Sequence, residues 1–286
     1  MFRQSLLFFL LYVLFVAPAS AQTIYAAGST IAAPLYAKWA QEYKEKTSVT
    51  IIYQAIGSNI TGHAIDFAVS DAPMNANEVA AAPGIIPIPT AAYAVVLVYN
   101  LPGTAAILHL TGPVAADIFT GKITRWNDPR IVRLNPGVPL PDLGIFTVHQ
   151  SNGSGTTYLL TTYFSAVSPA WKESLGAGKS IHWPVGLGRK QGMGVSQMVE
   201  RNAGALGYLE LSNATRSGLP IALFNSRAPK GNPIAGYLYL LVYPNARPAV
   251  KCFVQWVLTE GQADAAPMGY APLPLKMRKL ALAALK

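Results

Sequence analysis

The sequence predicts an α/β protein with mostly parallel sheets, built as two lobes joined by two crossovers. Three observations predict it. Short β-branched or apolar runs alternate with segments of helical period. A turn rich in Gly, Ser or Thr follows most of these runs. Two longer apolar runs, 94–99 and 236–242, lie where the composition changes, and they suit strands buried on both faces.

The chain opens with a targeting pattern. Arg3 gives a positive end, 6–16 is almost unbroken apolar sequence, and Ala19-Ser20-Ala21 supplies small residues for cleavage. That run is too short for a bilayer span and reads as a secretory signal over 1–21, with the mature chain starting at Gln22. The expected location is the periplasm. Thr23 to Ala26 then forms a strand that ends in Gly28-Ser29-Thr30. Pro34 suits a first helical turn, and Leu35, Trp39 and Tyr43 share one helix face. Residues 49–53 form a strand leading to Gly57-Ser58, and 65–69 form another leading to Ser70-Asp71. The proline-rich stretch 134–142 is an exposed loop. Residues 145–148 form a strand that runs into Gly153-Ser154-Gly155-Thr156-Thr157, after which Leu159, Leu160, Tyr163 and Phe164 mark a helix. Residues 276–286 form a basic C-terminal helix.

These elements divide the chain into a discontinuous first lobe, 22–97 with 234–286, and a second lobe, 98–233. The only cysteine, Cys252, lies in an apolar run and is expected to be a buried core residue. The formal net charge of +9 favours anionic partners at a distance. The Lys and Arg residues form no stripe, which argues against nucleic acid. His109 and His182 have no ligand spacing to Cys, Asp or Glu, so no metal is expected, and nothing calls for a cofactor.

In open α/β sheets, ligands sit beyond the carboxyl ends of strands. Here those ends carry Ser29 and Thr30, Ser58, Asp71, and Ser154, Gly155 and Thr156. Helix starts expose unpaired N–H groups, glycine admits an anion close to them, and hydroxyls add donors. The pattern predicts a desolvated tetrahedral oxyanion held by neutral donors. Asp71 narrows the choice. A carboxylate beside a dianion is repelled unless a proton lies between them. Monohydrogen phosphate carries that proton and sulfate does not.

Several segments resemble the periplasmic phosphate-binding proteins of phosphate ABC transporters. They are AGSTI (27–31) with APLYAKWA (33–40), YQAIGS (53–58), DFAVSDAPM (66–74), DIFTGKITRWNDP (117–129), LNPG (134–137), GSGTT (153–157), WPVGLG (183–188) and GALGYLE (204–210). The likeness covers 23–211 well and 233–275 more loosely. It implies a type II periplasmic binding protein fold, a hinged monomer that shuts on inorganic phosphate and serves the membrane permease subunits of an importer. Carried over by position, the phosphate contacts would be Ser29, Thr30, the Ile31 backbone, Ser58, Asp71, Ser154, Gly155 and Thr156. The family's Arg-x-Asp before the glycine-serine turn is here Gln150 and Asn152, so Gln150 would donate without a charge. Weaker binding or a shifted anion preference is expected. The stretch between Ser58 and Asp71 is also short for the family.

Three other readings compete. One is the same machine tuned to another oxyanion or an organic phosphate. The second is a phosphatase using Ser154, although Gly153-Ser154-Gly155 is not a Gly-x-Ser-x-Gly elbow and no acid–His pair is placed to activate the serine. The third is an interaction module that has lost its ligand. His63 and His149 are read as structural, and Arg189 with Lys190 as a solvated loop.

Overall fold

A computed structural model describes residues 22–56, 65–104, 106–224 and 234–285. The signal segment, Ser58 and His63 lie outside the described residues. The first third of the chain runs β1 (Thr23–Gly28), α1 (Ala33–Thr47), β2 (Thr50–Gln54), β3 (Phe67–Ser70), α2 (Ala76–Ala81) and β4 (Ile86–Tyr99). The middle continues with β5 (His109–Leu110), α3 (Gly112–Phe119), α4 (Pro129–Val132), β6 (Phe146–Gln150), α5 (Gly155–Val167), α6 (Pro169–Ser174), β7 (Leu187–Arg189) and α7 (Gln191–Arg201). Then follow β8 (Ala205–Glu210), α8 (Leu211–Ser217), β9 (Ile221–Phe224), β10 (Ala235–Val242), α9 (Pro248–Leu258) and α10 (Leu275–Ala284).

The strands lie in the order β2-β1-β3-β10-β4-β8-β6-β7, with β9 beside β4 and β5. The α/β class is as predicted, but the parallel expectation holds only at the flanks. Strands β2, β1 and β3 run parallel, as do β8, β6 and β7. Around β4 the pairing is antiparallel to β10, β8 and β9. Strand β4 explains this. Its first part, from Ile86 to Ala94, pairs with β10 in one sheet, and Val95 to Tyr99 pair with β8 in the other. The predicted strand at 94–99 is therefore only the far half of a 14-residue strand. The near half carries Pro87 and Pro89, which donate no ladder hydrogen bond, and β4 bulges beside them, with Thr90 the extra residue between the partners of Leu238 and Tyr239. Strand β10 belongs to the first sheet from its first residue. Residues 225–233, which precede it, lie outside the described residues.

Each sheet has its own aromatic filling. In the first, Leu35, Trp39 and Tyr43 turn one face of α1 inward, as their spacing predicts, with Tyr36 beside them; Tyr36 packs on Phe67, and Tyr43 on Phe253 and Trp256. The indole N–H of Trp39 donates to Gly261 O (2.6 Å), so its polar edge is satisfied where it is fully buried. In the second, Trp183 stacks on Tyr208 and Phe119 packs on Phe164. His149 stacks flat on Trp183, with centroids 5.0 Å apart, and its Nδ1 lies 3.3 Å from Gln150 O.

Cys252 corrects the sequence reading, because it is exposed. In α9 the inward stripe is Val250, Phe253, Val254 and Val257. At 100° per residue, Cys252 falls on the opposite side. An apolar run is not by itself a buried one when it is helical. Among the described residues, no helix is long and apolar enough to cross a membrane.

Candidate anion site between the two sheets

The site starts at the end of β1. Gly28 has φ +144°, and a Cβ there would lie 2.1 Å from Val69 O, so only glycine lets β1 approach β3 this closely. Ser29 N–H donates to Val69 O (2.8 Å). The Ser29 hydroxyl oxygen accepts from the N–H groups of Ile31 (3.1 Å) and Ala32 (3.3 Å), which organises the turn into α1. Two phenols, one buried and one half-buried, tie down the turn's carbonyls. Tyr53 donates to Ser29 O (2.7 Å) and Tyr270 donates to Ile31 O (2.6 Å).

Asp71 follows β3 directly. Its side chain accepts from the Ser29 hydroxyl (3.0 Å) through Oδ2 and from Gly155 N–H (3.1 Å) through Oδ1. Its own carbonyl accepts from Tyr93 O–H (2.7 Å). Ser29 and Asp71 belong to the first sheet, and Gly155 opens α5 on the second. One carboxylate thus touches the helix starts of both halves. Burial pushes the Asp71 carboxyl above its usual range, while the Ser29 hydroxyl, the Lys179 charge and the Gly155 N–H oppose that rise.

The start of α5 has N-cap geometry. Ser154 is extended, its hydroxyl oxygen accepts from Thr156 N–H (3.1 Å), and its own N–H donates to Lys179 O (2.9 Å). Gly155 is pressed against Asp71, since a Cβ on it would lie 2.3 Å from the Asp71 carbonyl oxygen. Thr157 shares a 2.6 Å hydrogen bond with Tyr208 O–H, whose oxygen also accepts from Gln150 N–H (3.0 Å). The Thr156 hydroxyl is fully buried and has no hydrogen-bond partner among the described residues. Buried hydroxyls are usually paired, so this donor is held for something.

The structure therefore brings Ser29, the Ile31 backbone, Asp71, Ser154, Gly155 and Thr156 together. Gln150 ends β6, is buried, and leads into the same turn. Asn152 does other work, as its Oδ1 accepts from Gln191 N–H (2.9 Å) and ties the turn to α7. Thr30 stands at the rim and lines a cleft of about 520 Å³ between α1 and helices α7 and α8.

Sequence reasoning missed the tyrosines and one acid. Tyr53, Tyr93, Tyr208 and Tyr270 brace the turns from behind. The available signal was that a buried tyrosine needs a partner for its hydroxyl. Glu210, at the end of β8, is buried with one oxygen unpartnered among the described residues. Burial pushes its carboxyl up to about 7, with the Asp71 charge adding and Arg216 opposing.

Comparison with known proteins fits this geometry. Residues 16–260 match the model of the PBP superfamily domain. The phosphate-binding protein PstS of Pasteurella multocida is 35% identical, with 96% of this chain and 93% of that one covered. The protein of the same name from Haemophilus influenzae is 32% identical, with 90% of each covered. Among solved structures, a phosphate-binding protein from Stenotrophomonas maltophilia superposes with TM-score 0.70 at 17% identity, covering 92% of this chain and 93% of that one. An ABC-type phosphate transport receptor from Vibrio cholerae superposes with TM-score 0.61 at 19% identity, covering 88% of this chain and all of that one. This chain thus has the periplasmic binding protein fold and belongs to the PBP superfamily, in the family of proteins named phosphate-binding protein PstS.

Proposed function

We propose that this chain captures inorganic phosphate between two lobes, 22–97 with 234–286 and 98–233, and delivers it to the membrane permease subunits of an ABC importer. It does so as a periplasmic monomer after loss of residues 1–21. One observation carries the reading: the buried Asp71 carboxylate lies between the Ser29 hydroxyl of one half and the Gly155 N–H of the other. The names of the relatives and structural neighbours support the same ligand.

The binding chemistry follows from donor and acceptor roles. An ionised carboxylate only accepts. Asp71 takes the proton of monohydrogen phosphate, and sulfate offers none. The Ser154 and Thr156 hydroxyls and the Gln150 amide supply donors, the Ser29 hydroxyl and the Gly155 N–H pass from Asp71 to the anion as it enters, and Ser58 and Thr30 belong to the same set. The site is dehydrated and its donors are neutral, so the anion gains from dipoles fixed in advance. Because the donors come from both halves, the anion stabilises the closed arrangement over the open one.

Catalysis has no support here. The Ser154 hydroxyl is engaged by a backbone N–H, and His149 stacks on Trp183 with Nδ1 facing Gln150 O. Among the described residues no base is placed to activate the serine. A second reading, another oxyanion or an organic phosphate, rests on Gln150, which puts a neutral amide where the family has a guanidinium.

Calorimetric titration with phosphate, sulfate, arsenate and a phosphate monoester tests both readings. Phosphate should bind with a preference over sulfate approaching about 10⁴-fold, the scale at which an unpaired buried polar group rejects a ligand. Asp71→Asn should collapse that preference. A preference untouched by Asp71→Asn would overturn the role given to the carboxylate. Tighter binding of another anion than of phosphate would favour the second reading.

A further inference from the structure

Glu78 and Lys179 meet across the cleft, on the rim beside Asp71. Glu78 lies in α2, between β3 and β4 of the first sheet. Lys179 lies between α6 and β7 of the second. Their charged groups are 2.6 Å apart, with side chains 38% and 20% exposed. Both residues are anchored to parts of the site. The other Glu78 oxygen accepts from Asn75 N–H (2.8 Å), closing a capping box with the Asn75 side chain at the start of α2. The Lys179 carbonyl accepts from the N–H of Ser154, the N-cap of α5. The two halves also meet where Gly155 presses on Asp71 and where Gly236 faces Leu159. Of these meeting points, the ion pair is the one that joins opposite charges over a distance. Lys179 is also the cation that opposes the effect of burial on Asp71.

We infer that Glu78 and Lys179 form a charged latch that holds the two lobes together over Asp71 and so sets how slowly the bound anion leaves. The inference rests on the proposed phosphate site. Both residues act as positioning residues, since neither is placed in contact with the anion. The latch forms only when the cleft is shut, so it lowers the rate of opening, in the empty chain as in the loaded one.

The conservative variants separate this from a direct electrostatic role of Lys179. Glu78→Gln keeps a carbonyl oxygen for the Asn75 N–H and loses the charge, Lys179→Met keeps the stem, and Lys179→Arg keeps the charge. Stopped-flow measurement of phosphate binding and release should show Glu78→Gln and Lys179→Met each speeding release by about 2- to 5-fold, with association no slower than in the natural sequence. The double variant should be no faster than either single one, and Lys179→Arg should restore slow release. If Lys179 instead acted on the anion directly, Glu78→Gln would free it and slow release. Unchanged or slower release in Glu78→Gln therefore overturns the latch. A second measurement needs no ligand. Small-angle scattering of the anion-free chain should give a larger radius for Glu78→Gln and Lys179→Met than for the natural sequence, and equal radii overturn the latch. Failure of the natural sequence to bind phosphate, with the radii still differing, would overturn the phosphate reading and leave the latch standing.

Discussion

Glu210 shows how a single buried acid ties stability to pH. Its carboxyl is pushed up to about 7 in the folded chain, against an ordinary 4.5, and burial is the main cause. Between those values the native state holds a proton that the unfolded chain has released. Stability therefore falls as pH rises through this window and levels off above it. The full shift corresponds to roughly 3 kcal/mol, an upper figure. Asp71 is raised by burial as well and acts in the same direction. Glu210→Gln should flatten the decline, giving melting temperatures that differ less than those of the natural sequence between about pH 5 and about pH 8. An unchanged slope would place the effect elsewhere. Cys252 gives a simpler test at this scale. Its exposure on α9 predicts rapid reaction with a thiol reagent under native conditions, with no loss of fold. Slow labelling that needs denaturant would restore the buried reading.

At the scale of elements, the starts of α1 and α5 depend on glycines that let chains touch. Gly155→Ala would drive a Cβ to 2.3 Å from the Asp71 carbonyl oxygen and 2.6 Å from its carboxyl carbon. The two sheets would have to part to make room. Phosphate affinity should drop by at least about 10-fold, the scale at which one extra carbon strains a close-packed interior, while the melting temperature changes little. Equal affinity, measured by calorimetry, would show that closure does not need this approach. Much of this level was legible in the sequence. Pro34 with the Leu35, Trp39, Tyr43 spacing predicted α1, and Gly153 to Thr157 marked the entry to α5. What stayed hidden was long-range. Nothing local says that Tyr93 braces Asp71 or that Lys179 faces Glu78, because sheet order brings those pairs together. The near half of β4 was missed for the opposite reason. Pro87 and Pro89 argue locally against a strand, yet both keep their places in the pairing, opposite Leu241 and Tyr239 of β10. Cys252 reads as buried only if an apolar run is buried all round, whereas α9 has an outer face.

At the scale of the whole molecule, the proposed function depends on two halves that move and still share a backbone. The proposed cradle takes Ser29 and Asp71 from one half and Ser154, Gly155 and Thr156 from the other. Neither half completes it, so truncation to a single lobe should abolish anion binding. The basic balance of the chain draws anions toward the cleft over a distance that salt shortens. Association with phosphate should therefore slow as ionic strength rises, and a rate indifferent to salt would remove net charge from the account.

Strand β4 has a consequence for how the molecule comes apart. It pairs with β10 as far as Ala94 and with β8 from Val95 onward, and the Val95 N–H still donates to Ile234 O (2.8 Å), beside β10. Melting either half strips partners from a strand the other half needs. Scanning calorimetry should therefore record one endotherm, with calorimetric and van't Hoff enthalpies in agreement, where two lobes linked by loose chain would give two.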